Sequence, residues 1–344
     1  MNNQLSLITG SNGHLGNNLL RLLLSKSIPT RASVRDLSNT APFEDLSCEI
    51  VQADLLDKDS LVAACRGVKN VYAVGAAFSM WAKDPQTEIY DVNVQGTRNL
   101  FEAAQICGVK NIVYVSSIAA LDFTHLPAKE SNGYNKDRRN IYYNSKNDSD
   151  KLALELGKRY GIRTVIILPS AMIGREAHKL SYSNRLVWQI LKGKIPLDTH
   201  ISLNWIDVKD VAEAAYVAML KGGDGERYIL ANENHTSIQK SVKIAAELFP
   251  ELKLSIPKKA PKWLLYVIAA CMELASKLTE KEPLLQKEYI DMFYGLKQDF
   301  DISKARKELN FNPTSSEKAL ESALAFLKNE WKGGYLGLTH YKNS

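Results

Sequence analysis

Short apolar runs alternate with helix-like patterns through the first half of the chain. Because these runs lack the alternation of a half-exposed strand, they predict strands covered on both faces of a sheet. The segments between them have helical spacing and are long enough to cross over between parallel strands. This order is typical of an α/β fold with a doubly wound parallel sheet. We predict strands at residues 5–9, 30–34, 49–52, 70–74, 111–116 and 163–168, and helices at 15–26, 87–107 and 141–160.

The pattern changes after residue 168, where Pro169, Gly174, Pro196 and the glycines at 222–223 separate shorter elements. A helix is predicted at 207–220, a short strand at 228–230, and mostly helices from 237 onward, the last at 315–330. A chain of 344 residues is long enough for two such units. We predict a sheet domain at 1–174 to which 200–222 returns, a smaller, mostly helical lobe formed by 175–199 and 223–331, and a tail at 332–344.

A glycine-rich turn follows the first predicted strand and opens the first predicted helix, which is the context that a dinucleotide site requires. The spacing is Gly-x-x-Gly-x-x-Gly. The first glycine permits a tight turn, the second lets the backbone approach a pyrophosphate, and the third lets the helix pack closely on the strand. The helix N-terminus would offer free N–H groups to the phosphates. This predicts a Rossmann-type cofactor site with Gly10, Asn12, Gly13, His14, Leu15 and Gly16.

The end of the second strand indicates which nicotinamide cofactor is bound. Arg35 stands where the 2′-phosphate of NADP would lie and can bind it through two N–H groups, which favours NADP(H) over NAD(H). Alternatively, Arg35 is a solvated arginine that Asp36 partly neutralises. Asp54, beside Leu55 after the third strand, could accept a hydrogen bond from the adenine amino group. Asp54 could equally be the N-cap of a helix that begins near Asp57.

Two further motifs suit proton transfer. Tyr142 and Lys146 are four residues apart, so on the predicted helix they share a face. A nearby ammonium is expected to lower the pKa of the phenol, which is otherwise too high for a proton shuttle at neutral pH. Ser117 follows the fifth strand, at the edge where open α/β sheets bind ligands, and could hydrogen-bond a carbonyl oxygen. Ser116 is the alternative candidate. The simpler interpretation is that both serines only end the strand and have no role in catalysis.

These motifs, in this order, resemble the extended branch of the short-chain dehydrogenase/reductase superfamily over nearly the whole chain. Asn-Val-Gln-Gly-Thr at 93–97, Trp-Ile-Asp-Val-Lys-Asp-Val-Ala at 205–212 and Phe-Asp-Ile-Ser-Lys-Ala-Arg at 300–306 are similar to signatures of that branch. Val-Arg-Asp at 34–36 and Trp-Ala-Lys-Asp-Pro at 81–85 resemble the subgroup of dihydroflavonol 4-reductase-like and 3β-hydroxysteroid dehydrogenase-like proteins.

The resemblance implies NADP(H), hydride transfer at a carbonyl or secondary alcohol, and catalysis by Ser117, Tyr142 and Lys146. It places Tyr142, Lys146 and Pro169 in the cofactor site as well. It also implies a homodimer formed through the helices at 87–107 and 141–160. A sugar-nucleotide epimerase with tightly bound NAD(P) is the alternative. The stretch 168–175 departs from sugar-nucleotide relatives, and Ile-Ala-Ala at 118–120 lacks the acidic pair of the dehydratases.

The predicted substrate is a mostly apolar small molecule, for which Phe78, Trp81 and Tyr143 could form a wall, although core packing explains each of them as well. An apolar segment from Trp263 follows Lys258, Lys259 and Lys262. Basic residues beside an apolar helix can contact an anionic membrane, but we expect a buried helix of the lobe and no membrane contact.

Composition excludes several other classes of function. The formal charge of +6 from 44 basic and 38 acidic residues forms no basic run, so no nucleic-acid partner is expected. The four cysteines lack the spacing of a zinc site, so no metal is expected, and they predict reduced thiols in a cytoplasmic protein. The first residues lack the basic and apolar segments of a signal peptide.

Overall fold

A seven-stranded parallel sheet forms the centre of the protein. A computed structural model describes residues 4–78, 82–176, 179–279, 283 and 285–333. The strands are β1 Ser6–Thr9, β2 Thr30–Val34, β3 Glu49–Gln52, β4 Asn70–Ala73, β5 Asn111–Val115, β6 Arg163–Pro169 and β11 Arg227–Leu230. Their order in the sheet is β11-β6-β5-β4-β1-β2-β3, so the order reverses between β1 and β4. The sequence predicted this fold class, and the structure confirms it.

Helices cover the sheet because its strands are apolar on both sides. α1 (His14–Ser25) packs against α6 (Val208–Lys221), and α3 (Val92–Cys107) packs against both α2 (Lys58–Cys65) and α4 (Ile141–Tyr160). Leu7, Ile8, Ile112 and Val113 are among the fully buried strand residues between these layers. Homodimerisation through α3 and α4 stays a prediction.

The predicted element bounds agree closely with the observed ones, with one difference in the segment 87–107. The sequence predicted a single helix there, but the chain first forms a wider, π-type turn at Gln86–Asp91 and only then continues as α3. Apolar periodicity over two turns does not distinguish i→i+4 from i→i+5 hydrogen bonding, so the sequence could not show this change.

The C-terminal region is mostly helical but does not form one separate lobe. Residues 227–230, predicted to lie in the lobe, are the edge strand β11 of the sheet. α10 (Ser303–Leu309) and the side chains of Phe300 and Ile302 also belong to the core that surrounds the sheet. The domain boundaries otherwise stay a prediction. The helix α11 (Ser316–Gly333) includes the start of the predicted tail, and residues 334–344 lie outside the described part of the chain.

A second core lies beside the sheet domain. Here α5 (Tyr182–Leu191), α7 (Ile238–Leu248) and α11 pack around the fully buried Trp205. The Trp205 indole donates a hydrogen bond of 3.1 Å to Ser241 Oγ, so its polar atom is satisfied. Three short strand pairs complete this region: β7 Ala171–Ile173 with β10 Trp205–Asp207, β8 Leu197–Asp198 with β13 Lys258–Lys259, and β9 Ser202–Leu203 with β12 Thr236–Ser237.

α8 (Lys262–Thr279) differs from the sequence prediction of a buried lobe helix. It packs against α9 (Lys287–Phe293), and only Leu265 and Ala269 of α8 are buried. The apolar sequence is continuous around the helix, so the pattern could not tell which face the protein covers. Among the described residues, no helix has the length and hydropathy that crossing a membrane requires.

Candidate active site

The turns after β1 and β4 meet at the point where the strand order reverses. Thr9 Oγ1 accepts a hydrogen bond of 3.0 Å from the Gly75 N–H, which joins the two turns. Gly10 has φ +65°, and a Cβ there would lie 2.8 Å from Gly75 Cα. A side chain at this position would therefore separate the turns. Crevices at such switch points are where open α/β sheets bind ligands.

The start of α1 is built for close approach of an anion. A Cβ on Gly16 would lie 2.2 Å from the Gly10 carbonyl oxygen, so only glycine lets the helix approach the turn. The N-cap residue, Gly13, provides no side-chain cap, and the first turn of α1 has no acidic residue. Its N–H groups and partial positive charge are thus available to a ligand. That this turn binds a dinucleotide pyrophosphate stays a prediction, and its geometry is compatible with it.

His14 and Asn12 have side-chain contacts away from the turn. His14 Nε2 lies 3.1 Å from the Arg175 carbonyl oxygen, which also accepts a bond of 2.9 Å from Asn18. Burial lowers the pKa of His14 to about 4, against backbone hydrogen bonds that raise it. The ring is therefore neutral at pH 7. His14 would bind a phosphate through its backbone N–H, which belongs to the first turn of α1. Asn12 Nδ2 donates to Asn39 O at 3.4 Å, and Leu15 is buried.

Arg35 lies exposed directly after β2, where the sequence places the cofactor selector. No described residue forms a salt bridge with its guanidinium. Its neighbour Asp36 accepts hydrogen bonds from the N–H and hydroxyl of Ser38, at 2.9 and 2.8 Å. These bonds lower the pKa of Asp36, and the charges of Arg35 and Lys179 lower it further. Lys179 is thus a second cation near this corner, and the sequence analysis missed it because it comes from a distant loop.

Asp54 follows β3 but does not cap α2. Its carboxylate accepts a bond of 2.9 Å from Leu56 N, whereas Asp57 accepts from the first-turn N–H groups of Asp59 and Ser60 and is the N-cap. The alternative reading of Asp54 as the helix cap is therefore wrong. Leu55 packs against α3 where Gly96 leaves room for it.

The end of β6 lies at the same edge of the sheet as the ends of β5 and β1. Pro169 is the last residue of β6 and is buried. The next side chain, Ser170, has a buried hydroxyl without a hydrogen-bond partner in the described protein. Buried polar atoms are normally paired, so this hydroxyl is available to a ligand at the strand edge.

Ser117 follows β5, and Tyr142 and Lys146 lie one turn apart near the start of α4, so their joint role in catalysis stays a prediction. The Ser117 hydroxyl, which accepts a bond of 3.1 Å from Ala119 N, lies close enough to the Tyr142 phenol to lower its pKa. Lys146, one turn further along α4, is buried and donates a bond of 3.3 Å to Val115 O, at the end of β5. Asn140 caps α4 by accepting from Tyr143 N at 3.1 Å, which fixes where the helix begins.

Burial dominates the protonation of this group. It raises the pKa of Tyr142 above its usual value, while the hydrogen bond from Ser117 acts in the opposite direction. Lys146 is not among the groups that lower the pKa of the phenol, so the expected effect of the ammonium is absent from the protein alone. Burial also lowers the pKa of Lys146 to about 8, against the nearby charge of Asp150. Tyr142 is therefore a protonated acid at neutral pH.

Ser116 belongs to a buried network rather than to the crevice. Its hydroxyl donates a bond of 2.8 Å to Asp150, which also accepts from Tyr134 at 2.8 Å and from Arg227 at 3.1 Å. Ser116 is therefore not free to bind a carbonyl, which leaves Ser117. Asp150 was not predicted as a functional residue, although it lies one helical turn beyond Lys146 and thus on the same face of α4.

Asn93 is a second residue that the sequence analysis left without a role. Its amide exchanges bonds of 2.8 and 2.9 Å with the backbone of Ala77, in the turn after β4. It also donates 2.9 Å to Ser145 Oγ, between Tyr142 and Lys146 on α4. The Asn-Val-Gln-Gly-Thr segment contained this signal. Asn93 joins the turn after β4 to the helix that carries the tyrosine and lysine.

Aromatic side chains surround the Tyr142 phenol. Phe78 packs edge-on against it with ring centroids 4.7 Å apart, and Tyr143 does so at 6.0 Å. Phe78 is 49% exposed, so it borders open space rather than the core. Trp81, the third predicted wall residue, lies outside the described residues. Tyr143 also lines a cavity of about 200 Å³, together with Phe123, Met292, Phe293 and Leu296 and with the polar Asp122, Asn135, Lys136, Asp137 and Gln298.

Comparison with known proteins agrees with these features. Residues 6–231 match the NAD dependent epimerase/dehydratase family. The chain is 31% identical over 330 residues to a putative dihydroflavonol 4-reductase of Synechocystis, covering 94% of each chain. It is 30% identical to sterol demethylase protein B of Methylococcus capsulatus, covering 94% of this chain and 98% of that one. Among solved structures, gox2253 superposes with a TM-score of 0.79 at 30% identity, over 95% of this chain and 99% of the other. The chain therefore belongs to the NAD dependent epimerase/dehydratase family and is an oxidoreductase of its extended short-chain dehydrogenase/reductase branch.

Proposed function

We propose that the protein is an NADPH-dependent reductase that converts a ketone or aldehyde of a mostly apolar small molecule to the alcohol, or oxidises the matching secondary alcohol. The proximity of the Ser117 hydroxyl to the buried Tyr142 phenol carries this proposal. Two hydroxyls converge there at the edge where β5 ends, and Lys146 follows one turn later. This arrangement offers two hydrogen-bond donors to a single carbonyl oxygen.

The cofactor would be held by the cradle at Gly10–Gly16, by Arg35 at its 2′-phosphate and by Lys146 at its ribose. When bound, it supplies the hydride. Ser117 and Tyr142 would donate hydrogen bonds that strengthen as negative charge develops on the substrate oxygen. Because burial raises the pKa of Tyr142, the phenol holds its proton until the oxygen becomes basic enough to take it.

Preference for NADP(H) is supported by charge at the end of β2. Arg35 is exposed and its fork of N–H groups suits a phosphate. Asp36 would repel that phosphate, but its carboxylate is already bonded to Ser38 and is partly offset by Lys179. The two cations therefore outweigh the single carboxylate at this corner.

The substrate class follows from the wall around Tyr142. Phe78 and Tyr143 present aromatic rings, and the adjoining cavity adds Met292, Phe293 and Leu296. Such a surface favours an apolar ligand, with a few polar groups to orient it. The names of two relatives, which refer to a dihydroflavonol and to a sterol, point to ligands of the same kind.

The direct test follows oxidation of NADPH and NADH by purified protein with aldehydes, aryl ketones, β-keto acids and keto-sterols. Tyr142→Phe should reduce kcat by about 10²–10⁴-fold and leave NADPH affinity nearly unchanged. Tyr160→Phe, at the far end of the same helix, is the matched control. Full turnover by Tyr142→Phe would exclude Tyr142 as the acid. Tightly bound cofactor that is never consumed, together with interconversion of nucleotide sugars, would favour the epimerase alternative.

A further inference from the structure

The outward face of α8 carries a continuous apolar stripe. Trp263, Val267, Leu274 and Leu278 are 68%, 54%, 63% and 81% exposed. Their spacing of four, seven and four residues places them on one side of the helix. The exposed Cys271 lies on the same side, between Val267 and Leu274. We call these five residues the α8 stripe.

The protein covers the other side of α8. Leu265 and Ala269 are buried and pack with Ala260 and Ile290, the latter from α9. A surface helix of a water-exposed protein has one apolar face and one polar face. α8 instead has two apolar faces, of which the protein covers only one. Contiguous exposed apolar surface of this kind marks a site of contact with another apolar phase.

Lysines flank the α8 stripe. Lys258 and Lys259 are exposed on β13, Lys262 begins the helix, and Lys277 lies in its last turn. Lys262 lies 3.9 Å from Asp291, but within the described ranges no carboxylate pairs with Lys258 or Lys259. Cations near a helix N-terminus oppose the helix dipole, so the first three lysines do not stabilise α8. Their charge is complementary to an anionic surface.

We propose that the α8 stripe binds the surface of an anionic lipid bilayer, with α8 lying in the plane of the interface. The stripe would enter the boundary between headgroups and acyl chains, and the lysines would contact lipid phosphates. An apolar face rimmed by lysines is the pattern of interfacial helices. Contact of this kind needs no membrane-spanning segment.

A second copy of the chain fits the stripe less well than a bilayer. Packing two α8 helices face to face would bring lysines of both copies together in either orientation, since each end of the helix carries them. Like charges brought together oppose association. A bilayer with acidic headgroups supplies both the apolar phase and the opposite charge.

The stripe is also close to the proposed substrate site. α8 packs on α9, whose Phe293 contacts Tyr143 at 5.9 Å between ring centroids. Glu288 of α9 accepts a bond of 2.6 Å from Asn140, the N-cap of the helix that carries Tyr142. If the proposed function holds, a carbonyl compound dissolved in the bilayer would reach the site along α8 and α9. Lipid binding itself does not depend on that function.

Flotation of the full chain with vesicles tests the proposal. Vesicles of phosphatidylcholine containing one-third phosphatidylglycerol should bind the protein, and vesicles of phosphatidylcholine alone should bind it at least about tenfold more weakly. Val267→Glu/Leu274→Glu should reduce binding to anionic vesicles by about tenfold or more. Leu220→Glu/Leu248→Glu changes exposed leucines on other helices and should bind as the wild type does. Circular dichroism and thermal melting verify that each variant folds.

A fluorophore on Cys271 reports where the stripe lies. In a Cys48→Ser/Cys107→Ser background, an environment-sensitive label on this exposed thiol should shift to shorter wavelength with anionic vesicles and be quenched by brominated acyl chains. Absence of wild-type binding to anionic vesicles would overturn the proposal. A dimer in sedimentation equilibrium that Val267→Glu/Leu274→Glu dissociates, with no vesicle binding, would assign the stripe to a second copy. Because these assays measure binding, their outcome is separate from that of the NADPH assay.

Discussion

Removing one partner of the buried ion pair between Asp150 and Arg227 should strongly destabilise the protein. Asp150 is fully buried and Arg227 is 9% exposed, with 3.1 Å between the guanidinium and carboxylate. Arg227→Met leaves the carboxylate with only its bonds from Ser116 and Tyr134. Breaking a buried pair in this way costs about 3–5 kcal/mol. That is a large part of a typical free energy of unfolding of about 5–15 kcal/mol.

Urea unfolding at pH 7, followed by far-ultraviolet circular dichroism, gives the free energy of unfolding for each variant. Asp150→Asn should cost about as much as Arg227→Met, because it leaves the guanidinium without a counter-charge. The double variant should cost less than the sum of the two, with a coupling energy of about 2 kcal/mol or more. Asp45→Asn is the exposed control: its carboxylate lies 2.7 Å from Arg21 but is 65% exposed, and its loss should cost at most about 1 kcal/mol.

Two results would refute this reasoning. One is a cost of Arg227→Met no greater than that of Asp45→Asn. The other is strict additivity of Asp150→Asn and Arg227→Met, which would show that the two groups do not interact. Either result would mean that water reaches the pair in solution and screens it as it does at the surface.

Three shorter predictions concern cofactor binding. Gly16→Ala should weaken NADPH binding by at least about tenfold in fluorescence titrations, because its Cβ would lie 2.2 Å from Gly10 O; unchanged affinity would contradict the cradle. NADPH affinity should fall as the pH rises through about 8, where Lys146 loses its proton, and Lys146→Met should abolish this dependence while Lys158→Met retains it. Arg35→Ala should lower the NADPH-to-NADH ratio of kcat/KM by about tenfold or more, and an unchanged ratio would remove Arg35 as selector.

The sheet could be predicted from the sequence because its strands are continuous apolar runs between helical segments. The short strand pairs of the second core could not, since a pair such as β8 with β13 joins segments about 60 residues apart. The edge strand β11 was predicted as a strand but assigned to the wrong unit. Its partner is fixed by long-range pairing with β6, which no local pattern reports.

Some features of the candidate site could likewise be predicted from local sequence, and others could not. The order of the glycine turn, Ser117 and Tyr142 could be predicted, because each motif ends or begins a strong local element. The pKa direction of Tyr142 could not, because it depends on how far the ring is removed from water by Phe78 and Tyr143. Asp150 could not be predicted as a buried residue, because a carboxylate on a helix is usually solvated. Its partner, Arg227, lies 77 residues away in the sequence.

The bonds of Asn93 determine which side of the site can open. They join the turn bearing Phe78 to α4, so we expect Phe78 and Tyr142 to move together. We expect opening of the site to come from α9 instead, which contacts α4 through the bond from Asn140 to Glu288 and through Phe293 against Tyr143. Amide hydrogen exchange should accordingly be slow at Ala77 and faster along α9. We expect a substrate to enter by displacing α9, while Phe78 and Tyr142 stay in place.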